Sequence, residues 1–158
     1  MLTAWLQTLH DWEVAALLRR SVYVYPFVNA AHILSLTLLI GGILPADLRI
    51  LGWLQGAPSA PLLRLMTTMS AIGLGFAILT GFLLFSVQPL EYVGNPAFLT
   101  KITLVALGTA NALIIRFSVG WRTMLANGEA EASLKVGAAL SLLIWIAALI
   151  SGRWIAFV

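Results

Sequence analysis

Four long apolar stretches constrain this chain more than any other feature. They run roughly from Val22 to Leu44, Leu62 to Val87, Ala97 to Phe117 and Ser133 to Phe157. Each reaches the span of about 20 residues that a helix needs to cross the hydrocarbon core of a bilayer. Lipid offers no hydrogen-bonding partner to a backbone, so stretches of this kind fold as helices. Of the 158 residues, 61% are hydrophobic and 9% are charged. A soluble domain carries about 25% charged residues, and a globule of this composition lacks the polar side chains to cover its surface. The expected fold is all-α: a single integral membrane domain over residues 1–158, built as a four-helix bundle, multi-pass in the lipid bilayer.

The punctuation between stretches suits helices. Asn95-Pro96 sets a capping side chain before a proline at the first helical position of the third span. Glu129 and Glu131 precede the fourth, where negative charge favours a helix N-terminus. Pro58 and Pro61 mark the first loop, Pro89 and Gly94 the second, and Asn127-Gly128 the third, while Pro45 ends the first span. Residues 2–18 place Leu2, Trp5, Leu6, Leu9, Trp12 and Ala16 at helical spacing opposite Thr3, Gln7 and His10. That pattern predicts an amphipathic helix lying in the membrane interface, closed by Arg19 and Arg20. Asp11 and Glu13 interrupt it before any apolar core, so it does not read as a cleavable signal peptide.

An even number of spans puts both termini on one side. Arg19, Arg20, Lys101 and Arg153 lie toward that side, against Arg49, Arg64, Arg116, Arg122 and Lys135 on the other, with a weak lean to cytoplasmic first and third loops. The net charge of +3 is scattered and forms no basic stripe, which argues against nucleic acid. The absence of cysteine removes disulfides and thiolate chemistry. No nucleophile–base pair, intramembrane carboxylate pair or phosphate loop is visible, so a hydrolase or transferase is not expected.

Helices in lipid associate by close packing rather than by hydrophobic burial. Gly73, Ala77 and Gly81 form a small-residue seam on the second span, and Gly137, Ser141, Ala148 and Gly152 form another on the fourth. Trp145 shares that second face near mid-span, placed either to stack on a flat ligand or to pack with its N–H on a hydroxyl.

His32 stands about 15 Å into the first span at the α-helical rise. Ionisable groups at such depth are functional candidates by default. Tyr25, Asn29, His32 and Leu36 share one face, so Asn29 is placed to orient the imidazole. His32 can then ligate a haem iron, serve a proton path or quinone oxygen, or hydrogen-bond a neighbouring helix. On the third span Lys101, Leu104, Gly108 and Asn111 share a face, with Lys101 near its start, Asn111 deep and Gly108 a notch between them. An inward Asn111 opposite His32 makes a small polar site, whereas Lys101 can equally snorkel to headgroups. Met66 and Met69 are spaced for Cu(I) or for gap-filling. Asp47 and Arg49 read as a solvated interfacial pair or as a latch with Arg64 or Arg116. His10, on the polar side of the first helix, reads as solvated.

"HILSLTLLIGG", "DLRILG", "TGFLLF", "NPAFLTK", "TANALIIRF" and "GRWIAFV" together resemble an uncharacterised bacterial family of small four-span inner-membrane proteins. More distantly, the histidine-plus-glycine first span is similar to cytochrome b561 and copper-resistance D membrane proteins. The nearer resemblance implies a bacterial inner (plasma) membrane protein and maps its pattern onto His32, Asp47, Arg49, Lys101, Asn111, Gly152, Arg153 and Trp154. It assigns no activity. Arg116 stands where that family carries a histidine, and Asn29 where it tends to carry an acid. A haem b held here would rest on His32 alone, on a methionine opposite, or on His32 from two chains across a dimer axis.

The expected function is a membrane module that binds haem b or a quinone-like ligand through His32 for electron transfer. Asn29, Asn111, Trp145 and Lys101 line that site, with His32 as the metal ligand. The alternatives are a non-catalytic subunit or assembly factor of a larger membrane complex, and a small ion or metal transporter.

Overall fold

The computed structural model describes residues 1–54 and 60–157, and Pro58, assigned above to the first loop, lies outside them. Among the described residues the secondary structure is entirely helical. The N-terminal segment forms α1 (Leu2–His10) and α2 (Glu13–Arg20). The four long helices are α3 (Val24–Ile50), α4 (Ala60–Val87), α6 (Pro96–Phe117) and α8 (Ala132–Trp154), the last extended by a 3-10 turn over Ile155–Phe157. Short helices α5 (Pro89–Gly94) and α7 (Val119–Asn127) occupy the second and third connections. All four long helices are apolar and long enough to cross a membrane, so the chain is a multi-pass membrane protein.

Two boundaries differ from the sequence expectation. Residues 2–18 do not form one helix, because the chain turns at Asp11 and Trp12 and restarts at Glu13. The Arg19 guanidinium holds that turn by donating to the carbonyls of His10 (2.7 Å) and Val87 (3.3 Å), which ties α1 and α2 to the end of α4. Leu6 is buried while Trp5 and Trp12 are exposed, so the tryptophans are not the face that packs inward. Pro45 does not end the first span but lies within α3. A proline in a helix interior forfeits one backbone hydrogen bond and crowds the carbonyl four residues back. That carbonyl belongs to Gly41, where no side chain adds to the crowding. Beyond the proline, Ala46 and Ile50 are buried against Leu63, Trp121 and Ala138, which holds the extra turn and more of helix in place.

Two helical hairpins make the core. α3 packs on α4, α6 packs on α8, and α3 packs on α8 between them. The small-residue seams lie at these contacts. Gly73 is so close to α3 that a Cβ there would stand 2.5 Å from the Leu39 nitrogen and 2.8 Å from the Ser35 carbonyl oxygen. Gly42 meets the Met66 carbonyl in the same way, and the Ser70 hydroxyl donates to the Leu39 carbonyl at 2.9 Å. On the α8 side, Ser141 and Ala148 are buried and Gly137 receives the side chain of Ile115. The outer helices α4 and α6, by contrast, meet at one end, where Phe85 stacks on Phe98 with ring centroids 5.3 Å apart, and stand apart beyond it. Their separation leaves a lateral cleft.

Candidate functional site

The imidazole of His32 faces α4. Its Nδ1 lies 2.9 Å from the hydroxyl oxygen of Thr80, and its ring rests on Gly81, where a Cβ would stand 3.2 Å from Cε1. Thr80 has one proton, and that proton is engaged with the Phe76 carbonyl at 2.6 Å. With that proton so engaged the hydroxyl is left to accept from an Nδ1–H, and the Ala77 backbone also meets the imidazole; in that tautomer Nε2 carries the lone pair. Metal-ligating histidines and histidines that accept from a hydroxyl share this arrangement, one nitrogen tethered and the other free.

The residues expected around His32 fall differently. The partner that orients the ring is Thr80 of the neighbouring helix rather than Asn29 on its own, and Asn29 is exposed. Asn111 is turned toward α8, where its amide donates to the Gly137 carbonyl at 3.0 Å and ties the two helices together. The Gly108 notch is filled, since the Trp145 ring lies 3.0 Å from where a Cβ would stand. Trp145 is 4% exposed and packs with Leu39 and Ile43, so it stands away from His32. The stem of Lys101 crosses Gly152 of α8, with Nζ 3.4 Å from a Cβ placed there. Of the residues expected with His32, Asn29, Asn111 and Trp145 do not join it, and Lys101 lies along Gly152 of α8.

Thr80 was missed because no local pattern marks it. The signal available was the adjacent seam, since a hydroxyl one residue before Gly81 sits at a face that a neighbouring helix must approach. Asp47 was misread. It is 4% exposed and no basic group pairs with it among the described residues, so neither the solvated pair with Arg49 nor the latch with Arg64 or Arg116 forms. The Ser141 hydroxyl stands beside its carboxylate, and Oδ2 remains without a partner. Arg116 instead lies over the Trp121 ring, 5.6 Å from its centroid. Met66 packs into the cluster around Ala46 and Leu63, whereas Met69 is exposed, so the two thioethers serve separate surroundings. His10 contacts Asp11 at 3.1 Å in an exposed position. Among the described residues no group of three or more His, Cys, Asp or Glu is placed to hold a metal ion.

Comparison with protein-family models, curated proteins and solved structures finds no match to the chain.

Proposed function

We propose that the chain is a membrane-embedded module that receives a quinol-type ligand at His32 and takes part in electron transfer. The observation that carries this reading is the half-buried His32 imidazole, held by the Thr80 hydroxyl at 2.9 Å in an arrangement whose Nδ1–H tautomer leaves Nε2 to accept. A neutral imidazole of this tautomer accepts a hydroxyl proton in a hydrogen bond, which a quinol supplies and a quinone carbonyl does not.

Haem b fits the donor set less well. His32 can fill one axial position, but the other histidine is exposed beside Asp11 on α1, and Met69 and Met66 lie about three and four turns from Thr80 along α4. The residues present therefore provide a single axial ligand, and no step is assigned to haem. In this reading the four long helices form the membrane bundle, and α1 and α2 lie at the interface with Trp5 and Trp12 turned to lipid. The sequence resemblance points to a bacterial plasma membrane as the setting. A second reading, a subunit of a larger membrane complex or a homodimer, is favoured by Tyr23, Trp53 and Val119, large apolar side chains that stay exposed near the ends of the spans.

The test is equilibrium binding of a short-tailed quinol analogue to detergent-purified protein and to His32→Ala, beside a reduced-minus-oxidised absorption spectrum. Binding that weakens about fivefold or more in the variant, as loss of one hydrogen bond requires, supports the reading. Equal binding by both proteins overturns it, and a haem spectrum that vanishes in the variant replaces quinol with haem.

A further inference from the structure

A second cavity lies further along α3, its wall running from Leu39, about 10 Å beyond His32 at the α-helical rise, to Ile50, about 27 Å beyond it. It encloses about 250 Å³ where α4 and α6 stand apart. Thr68 and Ala71 of α4 and Leu113 and Arg116 of α6 line it and are exposed, so they form its mouth. In a membrane-spanning chain a mouth between two spans opens sideways into lipid. Its inner wall is almost wholly apolar, with buried Leu39 and Ile43 from α3. Four buried polar side chains break that wall: Ser70, which donates to the Leu39 carbonyl, Ser141, and Asp47 and Trp145, both 4% exposed.

Asp47 and Trp145 carry unmet hydrogen-bonding demands of opposite sense. Trp145 Nε1 is a buried donor without an acceptor, and Asp47 Oδ2 is a buried acceptor without a donor. A buried polar group left without a partner costs about 1–3 kcal/mol, so two in one cavity mark a place where something else supplies the bonds. Neither meets the other, although Ser141, one turn before Trp145, stands beside Asp47.

We infer that this cavity binds a neutral, hydroxyl-bearing amphiphile drawn from the bilayer, whose single hydroxyl accepts from the Trp145 N–H and donates to Asp47. Charge selects against the other common heads. A carboxylate would face Asp47 at the back of the cavity, and an ammonium would pass Arg116 at its mouth. The chain of the amphiphile leaves through the gap between α4 and α6, where apolar surface meets apolar surface. The site does not depend on the quinol reading of His32.

The probe is a long-chain primary alcohol carrying a photoreactive diazirine, presented to the full chain in lipid nanodiscs. The comparison probe is the same molecule with the hydroxyl converted to a methyl ether, which accepts but cannot donate. Labelled peptides are mapped by mass spectrometry. The alcohol is expected to label α4 and α6 peptides beside the cavity, and the ether about fivefold less, as one missing hydrogen bond dictates. Trp145→Phe keeps the ring in the Gly108 notch but removes the N–H, and is expected to lower alcohol labelling by a similar factor. Ala112→Phe, which fills the cavity from α6, is expected to abolish it, and His32→Ala to leave it unchanged. Equal labelling by alcohol and ether overturns the inference even if neither cavity variant folds. So does alcohol labelling that survives Trp145→Phe and Ala112→Phe, because the orphaned pair would then be served by water alone.

Discussion

Replacing Gly73 by alanine should be, with the same change at Gly42, among the most damaging single-methyl changes at the described glycines. The added Cβ would meet the Leu39 nitrogen at 2.5 Å, the Ser35 carbonyl oxygen at 2.8 Å and the Leu38 carbonyl carbon at 3.0 Å. All three are backbone atoms of α3, so no side chain can swing aside. Restoring ordinary contact separates the two helices by about 1 Å. That displacement stretches two bonds across the same interface, Ser70 to the Leu39 carbonyl and His32 to Thr80, each 2.9 Å long. Overpacking of this kind costs about 1–3 kcal/mol, and weakening the two bonds moves the total toward the upper end. Gly75, half a turn away on the same helix, supplies the control, because a Cβ there meets nothing within 4 Å. Gly75→Ala should be neutral, or more stable by up to about 1 kcal/mol through helix propensity. Unfolding of both variants by SDS titration in mixed micelles compares them directly. If Gly75→Ala loses as much stability as Gly73→Ala, the close approach of α3 and α4 is not what holds them together, and the packing argument fails.

Three further perturbations bear on other parts of the account. Thr80→Val preserves shape but removes the acceptor for His32 Nδ1–H, and should weaken quinol-analogue binding about fivefold by releasing the ring; unchanged affinity would show that the tether is not needed. Asn111→Leu deletes the bond from α6 to the Gly137 carbonyl, and in SDS titration should cost about 0.6 kcal/mol, the average for such bonds between spans, without altering quinol binding. Burial, with the nearby Tyr25 and Glu91, pushes the Tyr92 phenol above its ordinary value of 10.0. The folded chain thus favours the neutral phenol, and this contribution to stability is intact below the ordinary value and lost as pH rises past it. In an ultraviolet absorbance titration, ionisation of one phenol should trail beyond the ordinary range and disappear in Tyr92→Phe.

Much of the architecture is written locally. The four spans follow from apolar length alone, and their helical ends from side chains that act on adjacent backbone: Asn95 accepts from the Phe98 N–H at 3.1 Å, as a residue before Pro96 should. Gly128 takes the left-handed conformation, φ 80°, that ends α7. The glycine seams were also legible, because small residues at fourfold spacing have few other uses in lipid. Pro45 misled because a proline is a local penalty, while the burial of Ala46, Asp47 and Ile50 that outweighs it is tertiary. The same continuation explains Asp47. Two residues along a helix turn the side chain by roughly 200°, so Asp47 and Arg49 leave opposite sides of α3 and cannot pair as neighbours in an open loop would. The site was legible in one residue only. His32 announced itself by depth, but its tether is 48 residues away, and Asn111 is met by a backbone carbonyl that no sequence pattern encodes. The orphaned atoms of Asp47 and Trp145 are visible only once α4 and α6 are seen to stand apart.

The most direct test of the central claim reads the two nitrogens of His32 themselves. With histidine labelled by nitrogen-15, the chain carries only two imidazoles, and His32→Ala assigns them by difference. The account predicts a neutral His32 with the proton on Nδ1 and an unprotonated Nε2, whose resonance moves when a short-tailed quinol analogue is added and stays fixed with its hydroxyl-methylated counterpart. A proton found on Nε2, or an Nε2 resonance indifferent to the quinol, would contradict it.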